Sequence, residues 1–128
     1  MALNDHVEMV LIRGGTFVGG FSMTDEWGEP LDSTWRGRLE VRAGTGDLVT
    51  SFASSGGDGT LTFTDFGQAI LNLPSTYTAN LEPTTDPLGL NTTHHVGDIE
   101  VWRAASPTIR YKPEAQFRVF VRPEVTTG

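Results

Sequence analysis

The chain has 128 residues, of which 38% are hydrophobic, and a formal net charge of −7. This length suits one domain with its own core, so we predict a single domain over residues 1–128. The acidic balance disfavours contact with nucleic-acid phosphates, and we expect no nucleic-acid partner. The sequence contains no cysteine, which excludes disulfides and thiolate metal sites.

No apolar run in the sequence approaches the roughly 20 residues that cross a bilayer, so we expect no membrane association. The first six residues lack a basic segment followed by an apolar stretch, which predicts no secretory leader. We therefore expect the protein to work in the compartment where it is made.

The first predicted strand is an apolar run over residues 7–12. Its length suits either a strand buried on both faces or an arm that pairs with another subunit, so residues 1–12 are an N-terminal strand or arm. Val7, Val10 and Ile12 are the side chains of this run that we expect at an interface.

Alternation of apolar and polar residues is strongest on the two sides of segment 25–34. The alternating apolar side chains are Phe17, Phe21 and Met23 before the segment, and Trp35, Leu39 and Val41 after it. Side chains two residues apart share one face of a strand. We predict that these two strands form an antiparallel hairpin around the turn 25–30.

Short strands separated by turn residues continue through the chain. They are predicted at 48–53, 60–64, 68–73, 94–103, 108–112 and 116–122, the first of them forming a hairpin with 35–42 across the turn 43–47. At most one short helix is expected, near residues 75–82, where Ser75 can cap one or two turns. Strands at this spacing predict an all-β fold, either an antiparallel β-sandwich or a small barrel.

Histidines and carboxylates are the candidate metal ligands of the sequence. His94 and His95 are neighbours on a predicted strand and point to opposite faces, which disfavours a shared ion. The carboxylates around one turn do not match the spacing of a calcium loop; they are Asp25, Glu26, Glu29 and Asp32. We predict no metal site and no cofactor.

Nucleophilic catalysis needs an activated side chain, and the sequence offers no local frame for one. Seven serines and three histidines occur without a nucleophile elbow. The glycine-rich segment 54–59 lacks the lysine and the following helix of a phosphate loop. A carboxylate pair for glycoside hydrolysis is defined by its separation in space, and the sequence singles out no pair. We predict that the chain is not an enzyme and has no catalytic residues.

Three aromatic residues are candidates for contact with a partner. Trp27 lies in the acidic turn, where the indole would either meet a partner or a carbohydrate, or fold back over its own hairpin. Trp102 shares a predicted strand face with Asp98 and Glu100, which indicates an amphipathic or interfacial position. Phe120 is out of phase with the apolar side chains of its strand, as expected if a neighbouring subunit covers that face.

Eight segments in chain order carry a resemblance to a known family. They are RGGTF at 13–17, FSMTD at 21–25, EPLD at 29–32, VR at 41–42, DGTLT at 58–62, LNLPS with TANLEP at 71–75 and 78–83, DIEV at 98–101, and FRVFVRPEVT at 117–126. Their order resembles small immunoglobulin-like structural proteins of tailed bacteriophages, similar to the N-terminal domain of baseplate upper proteins.

The resemblance implies an immunoglobulin-like β-sandwich in a non-enzymatic virion protein. Such a protein would be associated with the tail or baseplate, bind other virion structural proteins, and repeat as a homo-oligomer under virion symmetry. A capsid decoration (cement) protein on the phage head is the first alternative. A carbohydrate-binding module, with Trp27 and either Tyr77 or Tyr111 as a stacking platform, is the second.

Overall fold

The computed structural model describes residues 2–3, 7–84, 93–113 and 117–123. Ten strands and one helical turn lie within these ranges. They are β1 (Ala2–Leu3), β2 (Val7–Ile12), β3 (Phe17–Thr24), β4 (Trp35–Arg42), β5 (Leu48–Ala53), β6 (Gly59–Phe63), β7 (Gln68–Leu73), α1 (Ser75–Thr78), β8 (His95–Arg103), β9 (Arg110–Tyr111) and β10 (Phe117–Arg122). The predictions of an all-β chain and of at most one short helix near 75–82 are confirmed. Residues 83–93, whose two prolines and lack of periodicity predict a loop, lie mostly outside the described residues.

The strands form one hydrogen-bonded sheet that nearly closes on itself. Their order is β1-β3-β7-β6-β5-β4-β8-β10-β2, and β9 pairs with β8. The β5–β6 and β10–β2 pairs are parallel, and the other pairs are antiparallel. Within the described ranges, no helix is long and apolar enough to cross a membrane.

The sheet has two halves that meet at a narrow junction. The small half contains β1, β3, β7 and β6, and the large half contains β5, β4, β8, β10 and β2, with β9 beside β8. Only two residue pairs, Phe52 with Gly59 and Ala53 with Thr60, join the halves through β5 and β6. The Ser54 hydroxyl reinforces this junction, because it accepts from Gly37 N and donates to Leu61 O, both at 3.0 Å.

The core lies between the inner faces of the two halves. Both halves contribute fully buried side chains, among them Met23, Leu61, Leu71 and Leu73 from the small half and Leu11, Leu39, Phe52, Ile99 and Phe117 from the large half. The rings of Phe21 and Phe117 meet edge to face across the core, with centroids 5.1 Å apart. The alternation in each strand therefore buries one face against the opposite half.

The predicted hairpin between the strands at 17–24 and 35–42 is wrong. β3 pairs with β7 and β1, whereas β4 pairs with β5 and β8. Segment 25–34 instead carries the chain from the small half to the large half. Both strands point apolar side chains into the same core from opposite sides, so their alternation fits either arrangement.

The second predicted hairpin is confirmed. β4 and β5 pair across the turn 43–47, where Ala43 N donates to Asp47 O at 2.9 Å. Gly46 in this turn has a φ of +94°, a conformation that glycine adopts without steric cost. The β6 prediction also holds, since Leu61 and Phe63 both point into the core.

The end of β10 is held by a residue outside the sheet. The pairing of β10 with β8 stops at Val119. Beyond it, Val121 N donates to the Thr84 hydroxyl at 2.9 Å, and Thr84 N donates to Val121 O at 2.8 Å. These bonds satisfy a buried stretch of backbone and fix the direction of the outward side chains of Phe120 and Arg122.

Candidate interaction surfaces

One end of the molecule carries what we call the acidic tip, formed by residues 25–30 and residues 64–67. These two turns contain four acidic residues and no basic one. Each turn also presents a large aromatic side chain: Trp27 is 78% exposed and Phe66 is 90% exposed. Exposed aromatic rings of this size are characteristic of contact surfaces.

The first turn of the acidic tip is held by Asp25. Its carboxylate oxygen Oδ1 accepts from Trp27 N at 2.9 Å and from Glu29 N at 3.0 Å. Gly28, with a φ of +79°, completes the reversal of the chain. The indole of Trp27 therefore points into solvent and does not fold back over its own turn.

The second turn of the acidic tip is fastened to the first. Ser33 N donates to the Asp65 carboxylate at 3.3 Å, and the Ser33 hydroxyl donates to the same oxygen. Gly67 lies so close to Pro30 that a Cβ atom placed on it would be 2.5 Å from Pro30 Cβ. The two turns thus form one surface.

A second surface, which we call the edge strip, lies on the outer side of β2 and β10. It consists of Val10, Ile12, Arg118, Phe120 and Arg122. The parallel register sets Phe120 beside Val10 and Arg122 beside Ile12. Val10 is 37% exposed and Ile12 is 51% exposed, and Phe120 is half-buried. The strip is therefore apolar at its centre, with arginines on either side of Phe120, and the outward Glu8 of β2 lies beside Arg118.

The acidic tip and the edge strip lie at opposite ends of the sheet. Segment 25–34 lies where β4 begins, and β8, which is antiparallel to β4, ends there. β10 is antiparallel to β8 and parallel to β2, so both run away from that end. Phe120, Arg122 and Ile12 come late in these strands and consequently lie far from the acidic tip.

Charge is distributed unequally over the outer faces of the two halves. Seven of the nine basic residues lie on or beside the outer face of the large half: Arg36, Arg38, Arg42, Arg110, Lys112, Arg118 and Arg122. The outward side chains of β3, β6 and β7 carry no charge; they are Val18, Ser22, Thr24, Thr60, Thr62, Gln68, Ile70 and Asn72. The positive charge of this acidic chain is thus concentrated on one side.

Most of the basic residues in the middle of the large half are already paired. Glu40 contacts Arg42 at 2.8 Å and Arg38 at 4.0 Å. Glu100 contacts Arg110 at 3.1 Å and Lys112 at 3.9 Å. The arginines of the edge strip take no part in the ion pairs found among the described residues.

Trp102 is covered by its own chain. The guanidinium carbon of Arg110 lies 3.7 Å from the centre of the indole ring, and the same side chain pairs with Glu100. Because Arg110 of β9 covers the ring, Trp102 is half-buried without contact to a neighbouring molecule. Its amphipathic surroundings are as predicted.

The predicted interface residues separate into groups in the structure. Val10, Ile12 and Phe120 come together in the edge strip, whereas Trp27 lies at the opposite end. Val7 points inward and packs against the core. The side chains of β2 alternate between the two faces of the sheet. Since β2 pairs with β10 of the same chain, it belongs to the core sheet.

Phe66 is the exposed aromatic that the sequence reasoning missed. The tripeptide Asp65-Phe66-Gly67 was recognisable as a turn, and an aromatic residue in so short a turn has no room to reach the core. That local signal would have identified it. The arginines at 118 and 122 could be assigned to the outer face from alternation, but their proximity to Val10 and Ile12 depends on the parallel pairing of β10 with β2.

The histidine pair lies near the edge strip. The His94 ring is 6.0 Å from that of Phe120, centre to centre. Burial lowers the pKa of His95, and the charge of His94 lowers it further. Across the part of the chain that the structure describes, no three histidine or carboxylate side chains are arranged to hold a metal ion.

Asp32, the remaining carboxylate near the acidic tip, shapes its own turn. The Asp32 carboxylate accepts from the hydroxyl and the backbone N of Thr34. These hydrogen bonds, with the Thr34 hydroxyl contributing most, lower the pKa of Asp32. Its role is that of a turn acceptor like Asp25.

The tyrosines considered for a stacking platform do not join Trp27. Tyr77 lies in α1, which follows β7, and β7 is antiparallel to β3 and so ends away from the acidic tip. Tyr111 packs against Trp35, with ring centroids 5.9 Å apart. Tyr111 thus lies at the same end of the sheet as the acidic tip but packs on Trp35, and Phe66 is the exposed aromatic of the second turn of the tip.

A cleft of about 250 Å³ opens beside the junction of the two halves. Trp35, Arg36, Ser54 and Phe63 are among the residues that line it. The Ser54 hydroxyl is committed to backbone groups on both sides, and Arg36 donates to Ser33 O at 2.8 Å. These polar groups therefore stabilise the junction.

No protein-family model matches the chain, and a search of curated proteins finds no match either.

Proposed function

We propose that the chain is a non-enzymatic structural protein of a bacteriophage virion, an adaptor associated with the tail or baseplate. In this proposal it is made in the host cytoplasm and joins other virion proteins through its two ends. The observation that carries the proposal is the presence of two exposed contact surfaces, the acidic tip and the edge strip, at opposite ends of a small rigid sheet. An adaptor needs two such surfaces to connect neighbours.

The finer fold assignment in this proposal is an immunoglobulin-like sandwich. In such domains one sheet has the strand order A-B-E-D and the other contains C, F and G, with C′ added beside C in variable-type domains. Assigning β1, β3, β7 and β6 to A, B, E and D, and β5, β4, β8 and β10 to C′, C, F and G, reproduces both orders. The two-residue junction between β5 and β6 is where the sheets would separate.

The phage assignment is supported by the sequence resemblance described above. The segments that carry it include RGGTF at 13–17, EPLD at 29–32 and DIEV at 98–101. The second of these lies at the acidic tip and carries Pro30, against which Gly67 packs. The resemblance therefore covers residues that shape the contact surface.

The direct test is to locate the chain on phage particles released by the strain that encodes it. Mass spectrometry should find the chain in purified particles, and immunogold electron microscopy should place the label at the tail end. Label over the head would favour the capsid decoration alternative. Particles that form without any of the chain would overturn the proposal.

A matched pair of variants tests the role of the acidic tip in incorporation. Trp27→Ala removes an indole that is 78% exposed, and Val18→Ala removes a side chain that is 65% exposed on the uncharged face. Both should fold, but only Trp27→Ala should reduce the amount of the chain in particles. Normal incorporation of Trp27→Ala, together with loss of glycan binding by that variant on an array, would favour the carbohydrate-binding alternative.

A further inference from the structure

We propose that the acidic tip of one copy binds the edge strip of a second copy. This inference rests on the proposed function, because it names one of the partners that the two surfaces serve. The two surfaces lie at opposite ends of the sheet, so a tip cannot reach the strip of its own chain. The contact therefore joins separate copies.

The charges of the two surfaces are complementary. The acidic tip carries four carboxylates and no base, and the edge strip carries two arginines, Arg118 and Arg122, with one carboxylate, that of Glu8, beside Arg118. Arginine pairs with carboxylates through two parallel hydrogen bonds and also stacks on aromatic rings. The guanidinium groups of the strip can thus meet both the carboxylates and the rings of the tip.

The apolar parts of the two surfaces are complementary as well. Trp27 and Phe66 have most of their surface exposed to water. Roughly half of the surface of Ile12 and over a third of that of Val10 are exposed as well. Phe120 lies between the two arginines and is partly exposed. Burying these rings against the strip removes apolar area from water, which is the main favourable contribution to protein association.

The strip is a better site for the tip than the middle of the large half. There, Arg38, Arg42, Arg110 and Lys112 already contact carboxylates of their own chain. Binding an acidic partner at those positions would require breaking these pairs. Trp102, the aromatic residue of that region, is covered by Arg110.

The net charge of −7 makes two copies repel one another at a distance. The contact is consequently weak for an isolated pair and gains strength when several copies are held together by symmetry or by a common partner. An antiparallel pair and a closed ring can both be built from it, and the mass of the assembly distinguishes them.

Charge reversal at each surface tests the proposal. One variant carries Glu26→Lys and Glu29→Lys at the tip, and another carries Arg118→Glu and Arg122→Glu at the strip. All four side chains are exposed, and none donates or accepts a hydrogen bond with its side chain among the described residues. Sedimentation equilibrium over a range of concentrations should show self-association weakened more than about tenfold in each variant.

The tip variant gives the sharper of the two results. This variant is less negative than the native chain. General repulsion between copies therefore decreases while the specific contact is lost. A chain carrying both reversals keeps the native net charge and should regain part of the lost association, because the lysines introduced at the tip then face the glutamates introduced at the strip. An equimolar mixture of the two single-surface variants should also associate, because the native tip of one variant then faces the native strip of the other.

Control variants and contrary outcomes complete the test. Adding lysines to the outward side of β6, by Thr60→Lys and Thr62→Lys, also reduces the net charge and should not weaken self-association. A native chain that stays monomeric at every concentration would overturn the inference, as would failure of the doubly reversed chain to recover association. A monomeric chain that is nonetheless found in particles would remove the self-contact alone, whereas a self-associating chain that is absent from particles would remove the proposed function alone.

Discussion

The two halves of the sheet bury their inner faces by the same rule but differ in their outer faces. Both contribute alternating apolar side chains to one core. Outward, the large half carries seven of the nine basic residues, and the outward side chains of β3, β6 and β7 carry no charge. The inward residues therefore determine the fold, and the information about partners lies in the outward residues and in the turns.

The largest expected effect tests, on strand β2, whether the inward apolar side chains determine the fold. Leu11 is fully buried and Ile12 is 51% exposed. Leu11→Ala should lower the free energy of unfolding by about 2–5 kcal/mol through the cavity it leaves. Ile12→Ala should cost less than about 1 kcal/mol. Urea unfolding of both variants measures the difference, and equal losses would contradict the described orientation of the strand.

Deletion of residues 1–12 extends the same test. Because Met9 and Leu11 belong to the core, the shortened chain should fail to fold, as judged by circular dichroism. A shortened chain that folds but no longer assembles would restore the interpretation of this segment as an arm for another subunit.

The next effect concerns the contact between the two turns of the acidic tip. Gly28 and Gly67 both have a φ of +79°, but only Gly67 faces a neighbouring side chain, that of Pro30. Gly28→Ala should cost about 1–2 kcal/mol of stability from backbone strain alone. Gly67→Ala should cost a further 1–3 kcal/mol or so, because the added methyl group must displace Pro30. Thermal unfolding compares the two, and equal costs would mean that the turns are not in contact.

A smaller effect sharpens the comparison of the outer faces. Glu100→Gln in the large half removes the charge that Arg110 and Lys112 contact, and should cost less than about 1 kcal/mol. That loss should shrink in high salt, because screening already weakens the pairs. Thr62→Val on the small half should change stability little and show no salt dependence. A salt-dependent Thr62→Val would contradict the uncharged character of that face.

The smallest effect is a pH dependence from His95. Burial lowers its folded-state pKa below the usual value of 6.5, so the folded chain binds this proton less readily than the unfolded chain. Stability from this group is present above pH 6.5 and is lost as the pH falls below it. His95→Gln should therefore flatten the stability profile on the acid side of neutrality. An unchanged profile would show that the environment of His95 does not disfavour its charge.

Much of the fold could be predicted from local patterns. The alternation around Trp35, Leu39 and Val41 identified an inward face, and the glycine-bearing turn 43–47 identified a hairpin. Strand partners beyond such short turns were not predictable, because alternation gives the face of a strand but not its neighbour. The predicted β3–β4 hairpin failed for this reason, since ten residues separate the strands and allow the chain to cross to the other half.

The candidate surfaces were predictable in part for the same reason. Trp27 could be singled out because an indole in an acidic turn has little access to a core. Phe120 could be named from its phase in the strand, whereas Val10 and Ile12 were interface candidates together with Val7, which points inward. The union of Val10, Ile12 and Phe120 in one strip depends on the parallel pairing of β2 with β10, which joins segments more than a hundred residues apart. No local pattern specifies that pairing.

The central claim is that copies of this chain contact one another through their two ends, and amide NMR spectra recorded over a series of concentrations test it most directly. The account predicts that amide signals from residues 25–30 and 64–67 shift with concentration together with those of Ile12 and Phe120. Signals from β6 and β7 should stay in place in the same series. Shifts confined to the uncharged face of the small half, or no shifts at any concentration, would contradict the claim.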